Sequence, residues 1–332
     1  MSKKAQNIFL FFGLTVLAVM VSQLDFAEVW QGISNAGYWF LAVIVLWAFL
    51  YVFNAAAWYI IINSDGNRGI SFAHIYKLTV SGFALNYATP GGMMGGEPYR
   101  IMSISPYVGA EKASSSVILY AMTHMFSHFW FWALSIVLFL VSQTVTTELG
   151  ILLFASGVFC FLGLWFFMTG YRKGLANRIL GFARHVPLLK RWAKPFVDTH
   201  KQQLDTIDSQ ISALHSQNPR TFVLAVLLEL VCRIVSSLEI YFILLVLMPD
   251  VSFVQCILVL AFTSLFANLL FFIPLQLGGR EGGFLMSITA FGISTTAAVF
   301  VALLVRLREL IWTAIGLLLI KVSLGREPSC KK

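Results

Sequence analysis

Long apolar runs constrain the fold of this sequence more than any other feature. A helix needs about 20 apolar residues to cross a bilayer, and about eight runs approach or exceed that length. They lie near residues 8–23, 37–62, 74–90, 113–142, 150–170, 220–247, 253–274 and 294–320. None shows the alternation of apolar and polar residues that transmembrane strands require. Only 11% of the 332 residues are charged, against about 25% in soluble domains. The sequence therefore predicts an all-α polytopic membrane protein with about eight spanning segments.

A glycine-rich, charged motif interrupts these runs twice. The first copy reads Pro-Gly-Gly-Met-Met-Gly-Gly-Glu-Pro-Tyr-Arg from Pro90 to Arg100. The second reads Pro-Leu-Gln-Leu-Gly-Gly-Arg-Glu-Gly-Gly from Pro274 to Gly283. Charged, unwound backbone is costly at bilayer depth unless it lines a protected or water-filled cavity. The two motifs are therefore where we expect function.

The distribution of charge predicts how these segments cross the membrane. The loops 24–36, 143–149 and 248–252 hold no Lys or Arg, and cytoplasmic loops are enriched in both, so these three loops are expected outside. The expected inner segments are the N-terminus, 63–77, 100–112, 171–220 and the C-terminus.

Because both flanks of segment 74–100 are expected inside, that segment must enter the membrane and return. By the same argument, segment 253–291 must enter from the outer face and return to it. Two re-entrant helical hairpins of opposite direction are typical of an inverted-topology repeat, which places a transport site near the midplane. Two ordinary spans with glycine kinks remain the alternative.

The same topology divides the chain into four parts. We predict an N-terminal membrane half (1–170), a cytoplasmic amphipathic connector (171–219), a C-terminal membrane half (220–322) and a cytoplasmic tail (323–332). The connector's basic residues surround apolar positions at helical spacing, which favours a helix on the anionic inner leaflet. Both termini are expected in the cytoplasm, with the protein in the inner membrane.

The first motif supplies three candidate substrate-binding residues. Asn86 ends one half-helix, and Glu97 and Arg100 lie in the first turn of the next. A helix N-terminus with free N–H groups attracts anions such as phosphate, and Arg100 would add a bidentate contact. Glu97 would pair with Arg100, bind a cationic group or carry a proton. The structural alternative is a helix cap beside a surface arginine.

The second half supplies the other candidates. Arg280 and Glu281 would face the first motif by pseudo-symmetry. Glu229 and Arg233 are four residues apart on one helix face and are expected to pair, either lining a polar path or fixing helix packing. Arg306 is chosen as a second anion contact, on the same face as Glu309, with Arg308 pointing away.

We expect no metal, no cofactor and no catalytic centre. His124 and His128 are one helical turn apart, but no third ligand is evident, so polar packing or a proton-sensitive contact is favoured. The sequence has no P-loop, dinucleotide fingerprint, nucleophile elbow or complete Ser/His/Asp arrangement.

The run from Pro90 to Arg100 resembles the signature of flippase-like membrane proteins related to the membrane domain of lysylphosphatidylglycerol synthase, the multiple peptide resistance factor. The run from Ile273 to Gly282, followed by Gly292 and Arg306, is similar to that family's second signature, although Leu275-Gln276-Leu277 stands where more glycine is expected. The resemblance implies a helical lipid flippase and points to Glu97, Arg100, Arg280, Glu281 and Arg306. It does not extend to the synthase's soluble aminoacyl-transfer domain, so lysyl transfer is not implied.

These arguments predict a flippase that moves a phospholipid or lipid-linked head group between leaflets. Its partners would be a phospholipid or polyprenyl-linked lipid and the membrane, but not nucleic acid, because no basic soluble domain is present to hold it. A homo-oligomer or a lipid-synthesising enzyme partner is compatible with this interpretation. The alternatives are a membrane-embedded enzyme acting on a lipid phosphate, or a scaffold for a lipid-modifying partner.

Overall fold

The protein was analysed as a computed structural model, which describes residues 26–64, 70–88, 95–173, 219–248, 250–269 and 279–321, together with residues 15, 205 and 209. Over these residues the chain is helical, and no strand occurs among them. The helices of the described ranges are α1 (Phe26–Ala36), α2 (Tyr38–Ile62), α3 (Phe72–Ala88), α4 (Gly96–Val108), α5 (Ala110–Ser142), α6 (Thr147–Lys173), α7 (Pro219–Leu244), α8 (Phe253–Leu269), α9 (Gly279–Ala290) and α10 (Thr295–Leu319). The all-α prediction is confirmed for this part of the chain.

Four of the described helices are long and apolar enough to cross a membrane, namely α2, α5, α6 and α7. They coincide with four of the predicted runs. Helix α5, with 33 residues, is about 50 Å long at 1.5 Å per residue, which exceeds the thickness of the hydrocarbon core. Helix α6 is the most exposed of the four, with 6% of its most apolar window buried, so most of its surface is available to lipid.

Helices α3, α4, α8 and α9 are shorter, with 17, 13, 17 and 12 residues. Each falls short of the length that usually spans a bilayer. Helix α10 has 25 residues, but its centre carries Arg306, Arg308 and Glu309. Its start is fixed by Ser294, whose hydroxyl accepts a hydrogen bond from the backbone N–H of Ala297 at 3.2 Å.

The helix contacts repeat in the two halves of the chain. Helix α2 packs on α3, and α7 packs on α8. The next helices follow the same order, because α4 packs on α5 and α9 packs on α10. The halves interlock through α2 against α7, α10 against α3, and α5 against α8. A repeated set of contacts of this kind surrounds the centre of the molecule with helices from both halves.

Close helix approach in the first half depends on two glycines. A Cβ built on Gly96 would lie 2.2 Å from the carbonyl oxygen of Gly82 and 2.7 Å from Oδ1 of Asn86. A Cβ built on Gly82 would lie 2.2 Å from Nε of Arg100. Since real atoms do not approach so closely, α3 and α4 can meet as they do only with glycine at position 96, and a larger residue at position 82 would displace the guanidinium of Arg100.

Several predicted features lie outside the described residues. The span near 8–23 and the connector helices within 171–219 lie largely outside them, and the tail 323–332 lies wholly outside. Residues 89–94 and 270–278, which include the start of each motif, are also outside. The division into halves and the hairpin topology stay predictions.

Candidate functional site

A cavity of about 600 Å³ lies where the helices of both halves meet. Among the described helices, all except α1 and α4 contribute to its wall. Its polar and charged lining residues are Asn54, Asn86, His124, His128, Glu229, Arg233, Ser236, Ser264, Asn268, Arg280, Arg308, Glu309 and Thr313. Aromatic rings complete much of the remaining surface. The cavity is therefore polar and apolar at once, inside a chain with few charges.

One polar cluster in this wall is centred on Glu229 of α7, which is fully buried. The side-chain amide of Asn54 on α2 donates to its two carboxylate oxygens, at 3.0 and 3.1 Å. Nδ1 of His124 on α5 lies 2.7 Å from Oε2 of the same carboxylate. A buried charge requires such partners, and here they come from two other helices, α2 and α5.

Arg233, one turn further along α7, takes other partners than expected. Its Nε donates to the hydroxyl of Ser127 at 2.8 Å, and its Nη2 donates to the carbonyl oxygen of His124 at 2.9 Å. The expected ion pair with Glu229 does not form, because Asn54 and His124 already occupy that carboxylate. Within the described ranges, Arg233 has no carboxylate at ion-pair distance, although it lines the cavity.

A second polar cluster joins α7, α2 and α10. Arg308 donates to both carboxylate oxygens of Glu239, at 2.7 and 3.0 Å. The indole N–H of Trp47 donates to the same carboxylate at 3.0 Å, and the guanidinium of Arg308 lies 3.8 Å from the centre of the Trp47 ring. This bidentate, stacked arrangement is one that arginine makes and lysine does not.

Arg280, at the start of α9, extends this cluster. It forms an ion pair with Glu309 of α10, and Glu309 also lies 3.8 Å from Nη1 of Arg308. The side chain of Arg280 is 34% exposed, and it lines the cavity. The guanidinium of Arg280 is therefore paired with Glu309 but remains accessible from the cavity.

Arg100 has a different environment. Its guanidinium carbon lies 4.8 Å from the ring centre of Phe83, 5.4 Å from Tyr120 and 5.7 Å from Trp58. Its Nη2 donates to the carbonyl oxygen of Thr79 at 3.1 Å. The residue is 1% exposed and does not line the cavity, so its cation is held among aromatic rings.

Asn86 connects Glu97 to the cavity. Its Oδ1 accepts from the backbone N–H of Gly96 at 2.7 Å, and its Nδ2 donates to Glu97 at 2.9 Å. Glu97 also lies 3.6 Å from Nη1 of Arg100. The N-terminus of α4, which was expected to attract an anion, thus has a neutral amide as one of its partners.

The candidates from the sequence fall into two groups. Asn86, Glu229, Arg233 and Arg280 line the cavity, whereas Glu97, Arg100, Glu281 and Arg306 do not. Glu281 and Arg306 form an ion pair with each other. The expected facing of α10 was wrong, because Arg308 lies in the cavity wall together with Glu309.

The sequence contains a signal for two residues of the cavity wall, His124 and Arg308, that were not among the predicted substrate-binding residues. His124 follows Glu97 by as many positions as Arg308 follows Glu281, and both residues line the cavity. Extending the repeat beyond the glycine motifs would have selected Arg308 in place of Arg306. Asn54 and Trp47 carry no such signal, since their roles depend on the packing of α2 against α7.

Comparison with known protein families identifies the chain. A family model described as the lysylphosphatidylglycerol synthase TM region matches residues 8–316. The chain belongs to this family. The match spans both glycine-rich motifs and every residue of the cavity wall named above, and it confirms the resemblance found in the two motifs. It supports a membrane protein connected with lipid metabolism or transport. Searches of curated proteins and of solved structures found no match.

Proposed function

We propose that this protein moves a lipid with an anionic or zwitterionic head group between the leaflets of the membrane. The observation that carries the proposal is the cavity, whose lining combines a charged set of side chains, the charged wall, with an apolar set, the apolar wall, among helices long enough to span a bilayer. A lipid likewise combines a charged head group with apolar tails. The proposed location is the inner membrane, with both termini in the cytoplasm.

The charged wall supports a phosphate ligand. Arg233 and Arg280 line the cavity, and neither is enclosed as Arg100 is. Arg233 has a hydroxyl and a carbonyl as partners among the described residues, so its charge is available to an incoming anion. Arginine binds phosphate well because its planar donors match the phosphate oxygens.

The apolar wall supports lipid tails. Phe129 and Trp132 of α5, Phe159 of α6, and Leu265 and Leu269 of α8 line the cavity. Phe159 and Leu269 are also 39% and 51% exposed. Acyl chains would stay in contact with the bilayer at this edge while the head group occupies the charged wall.

The re-entrant hairpins belong to the same proposal. The described helices α3, α4, α8 and α9 have 12 to 17 residues, fewer than the roughly 20 of a typical span, and discontinuous helices surround the midplane site of transporters with inverted repeats. The repeated contacts of the two halves support this arrangement. The opposite entry of the two hairpins follows from charge distribution and is open to cysteine-accessibility mapping.

The test uses purified protein in liposomes that contain fluorescent phosphatidylglycerol, phosphatidylethanolamine or phosphatidylcholine. Dithionite added outside bleaches only the outer leaflet, so translocation appears as bleaching beyond the outer half. We expect faster bleaching than in empty liposomes for at least one of these lipids. Bleaching no faster than in empty liposomes for every one of these lipids, with and without a proton gradient, would contradict the proposal.

Mass spectrometry of the recovered lipid separates translocation from catalysis. Translocation leaves the mass of the lipid unchanged, whereas an enzyme acting on the lipid phosphate changes it. A scaffold for a partner enzyme would do neither in the purified system. The described residues hold no group of three or more metal-ligating side chains, so we base no second proposal on metal chemistry.

A further inference from the structure

The contact between His124 and Glu229 is the shortest polar contact that joins α5 to α7 in the cavity wall. Nδ1 of His124 lies 2.7 Å from Oε2 of Glu229, and the carboxylate is fully buried. Histidine is the side chain whose ordinary titration range lies nearest neutral pH. A histidine that contacts a buried carboxylate can bind a proton there and keep the new charge compensated.

The surroundings of this pair favour exchange of a single proton. The ring of His128 lies edge-on to that of His124, with ring centres 5.5 Å apart, and its buried Nδ1 has no hydrogen-bond partner among the described residues. Arg233 of α7 donates to the carbonyl oxygen of His124 itself. These are the features of a polar cluster in which the charge of one member affects the others.

Several charged and titratable groups surround the pair within the described part of the chain. On α7 they are Arg233 and Cys232, and on α4 the charged neighbour is Arg100. On α5 they are Tyr120, with its ring centre 6.1 Å from that of His124, and His128. Arg280 of α9 interacts electrostatically with His128. From α2 the facing group is Asn54, and from α3 it is the ring of Phe83; neither is titratable.

We infer that His124 and Glu229 form a proton-binding site that links proton uptake to binding of the lipid head group. The inference rests on the proposed lipid translocation. Uptake adds one proton to Nε2 of His124, because Nδ1 is the ring nitrogen in contact with Glu229, and no other covalent bond changes. The pair then becomes an imidazolium beside a carboxylate, and the cavity gains one positive charge next to Arg233.

The direction of the linkage follows from the sign of that charge. An added positive charge in a cavity of low dielectric strengthens binding of an anionic phosphate. By reciprocity, a bound phosphate strengthens binding of the proton by the same factor. Proton and lipid anion therefore enter the cavity together, and a proton gradient would drive net lipid movement in the direction that protons flow.

The test compares lipid translocation with and without a pH gradient in proteoliposomes that contain fluorescent phosphatidylglycerol. We expect an acidic exterior to increase the inward rate of wild-type protein by about tenfold, within the range typical of linked binding. His124→Gln keeps a donor toward Glu229 but cannot take up the proton, so the ratio of its rates with and without the gradient is expected to fall to about one, whatever its rate without a gradient. Glu229→Gln is expected to lose the stimulation too. His74→Gln is the control, since His74 packs on Tyr107, with ring centres 5.3 Å apart, and does not line the cavity.

A second measurement does not depend on transport. Phosphatidylglycerol added to the detergent-purified protein near pH 6.5 in weak buffer should cause uptake of up to about one proton per protein, seen with a pH-indicator dye. Variants enter both assays only when gel filtration shows a single folded species. Wild-type rates that are equal with and without a gradient, or lipid binding without proton uptake, would overturn the proton site and leave translocation standing. An absence of translocation for every lipid would overturn the proposed function and this inference with it.

Discussion

The two glycine-rich motifs place their arginines in different environments. Arg100 of the first motif has a side chain that is 2% exposed and lies among three aromatic rings. Arg280 of the second motif has a side chain that is 34% exposed, lines the cavity and pairs with Glu309. The motifs share their glycines and their glutamate, but the first holds helices together and the second presents a charge to the cavity.

The glycines of the two regions differ in the same way. A Cβ on Gly96 would meet the carbonyl oxygen of Gly82 at 2.2 Å, whereas a Cβ on Gly283 would meet Thr263 at 3.1 Å at the nearest. Gly283 also faces backbone, with Cα of Thr263 at 3.2 Å, but that distance needs a shift of only a few tenths of an ångström. The α3–α4 contact therefore leaves no space for a methyl group, whereas the α8–α9 contact would accept one after a small shift.

The largest expected effect comes from substitution of these two glycines. Gly96→Ala should lower the free energy of unfolding by about 3 kcal/mol or more, because backbone must move to admit the methyl group. Gly283→Ala should cost about 1 kcal/mol or less, because Thr263 can shift by a few tenths of an ångström. Thermal unfolding in detergent measures both. Equal losses would remove the distinction between a tight α3–α4 contact and an adjustable α8–α9 contact.

A smaller effect is expected when each arginine becomes lysine. Arg100→Lys should lower the free energy of unfolding by about 2 kcal/mol, because the ammonium group cannot keep the stacking on three rings and the hydrogen bond to Thr79 together. Arg280→Lys should change it by about 0.5 kcal/mol or less, since a partly exposed pair contributes little. Denaturation curves of both variants provide the comparison. An unchanged free energy of unfolding for Arg100→Lys would contradict the structural role of Arg100.

The smallest effect is expected at the ion pair that lies outside the cavity wall. Arg306→Gln breaks its contact with Glu281, whose side chain is 36% exposed. We expect a change of about 1 kcal/mol or less in stability and less than a twofold change in translocation rate. A rate that falls as far as that of a cavity variant would return Arg306 to the role that the sequence first suggested.

The sequence predicted the helices of this fold better than it predicted the site. Apolar length alone was enough for α2, α5, α6 and α7, because the bilayer fixes the length of a spanning helix. Asn86, Glu229, Arg233 and Arg280 were selected because a charge or amide in an apolar segment needs a polar environment, and all four line the cavity. Arg100 satisfies the same rule through aromatic rings and carbonyl oxygens, and sequence cannot distinguish that environment from a cavity. The partners of Glu229 come from α2 and α5, so they follow only from tertiary packing.

The most direct test of the account compares translocation by Arg280→Gln and Arg306→Gln in the same proteoliposomes with fluorescent phosphatidylglycerol. Both variants lose one arginine near the second motif, but only Arg280 lines the cavity. Loss of a charged hydrogen-bond donor costs about 1.5–3 kcal/mol, so Arg280→Gln should slow translocation by about ten- to a hundredfold while Arg306→Gln stays within twofold of wild type. Equal rates for the two variants would contradict the claim that the cavity is the path of the head group.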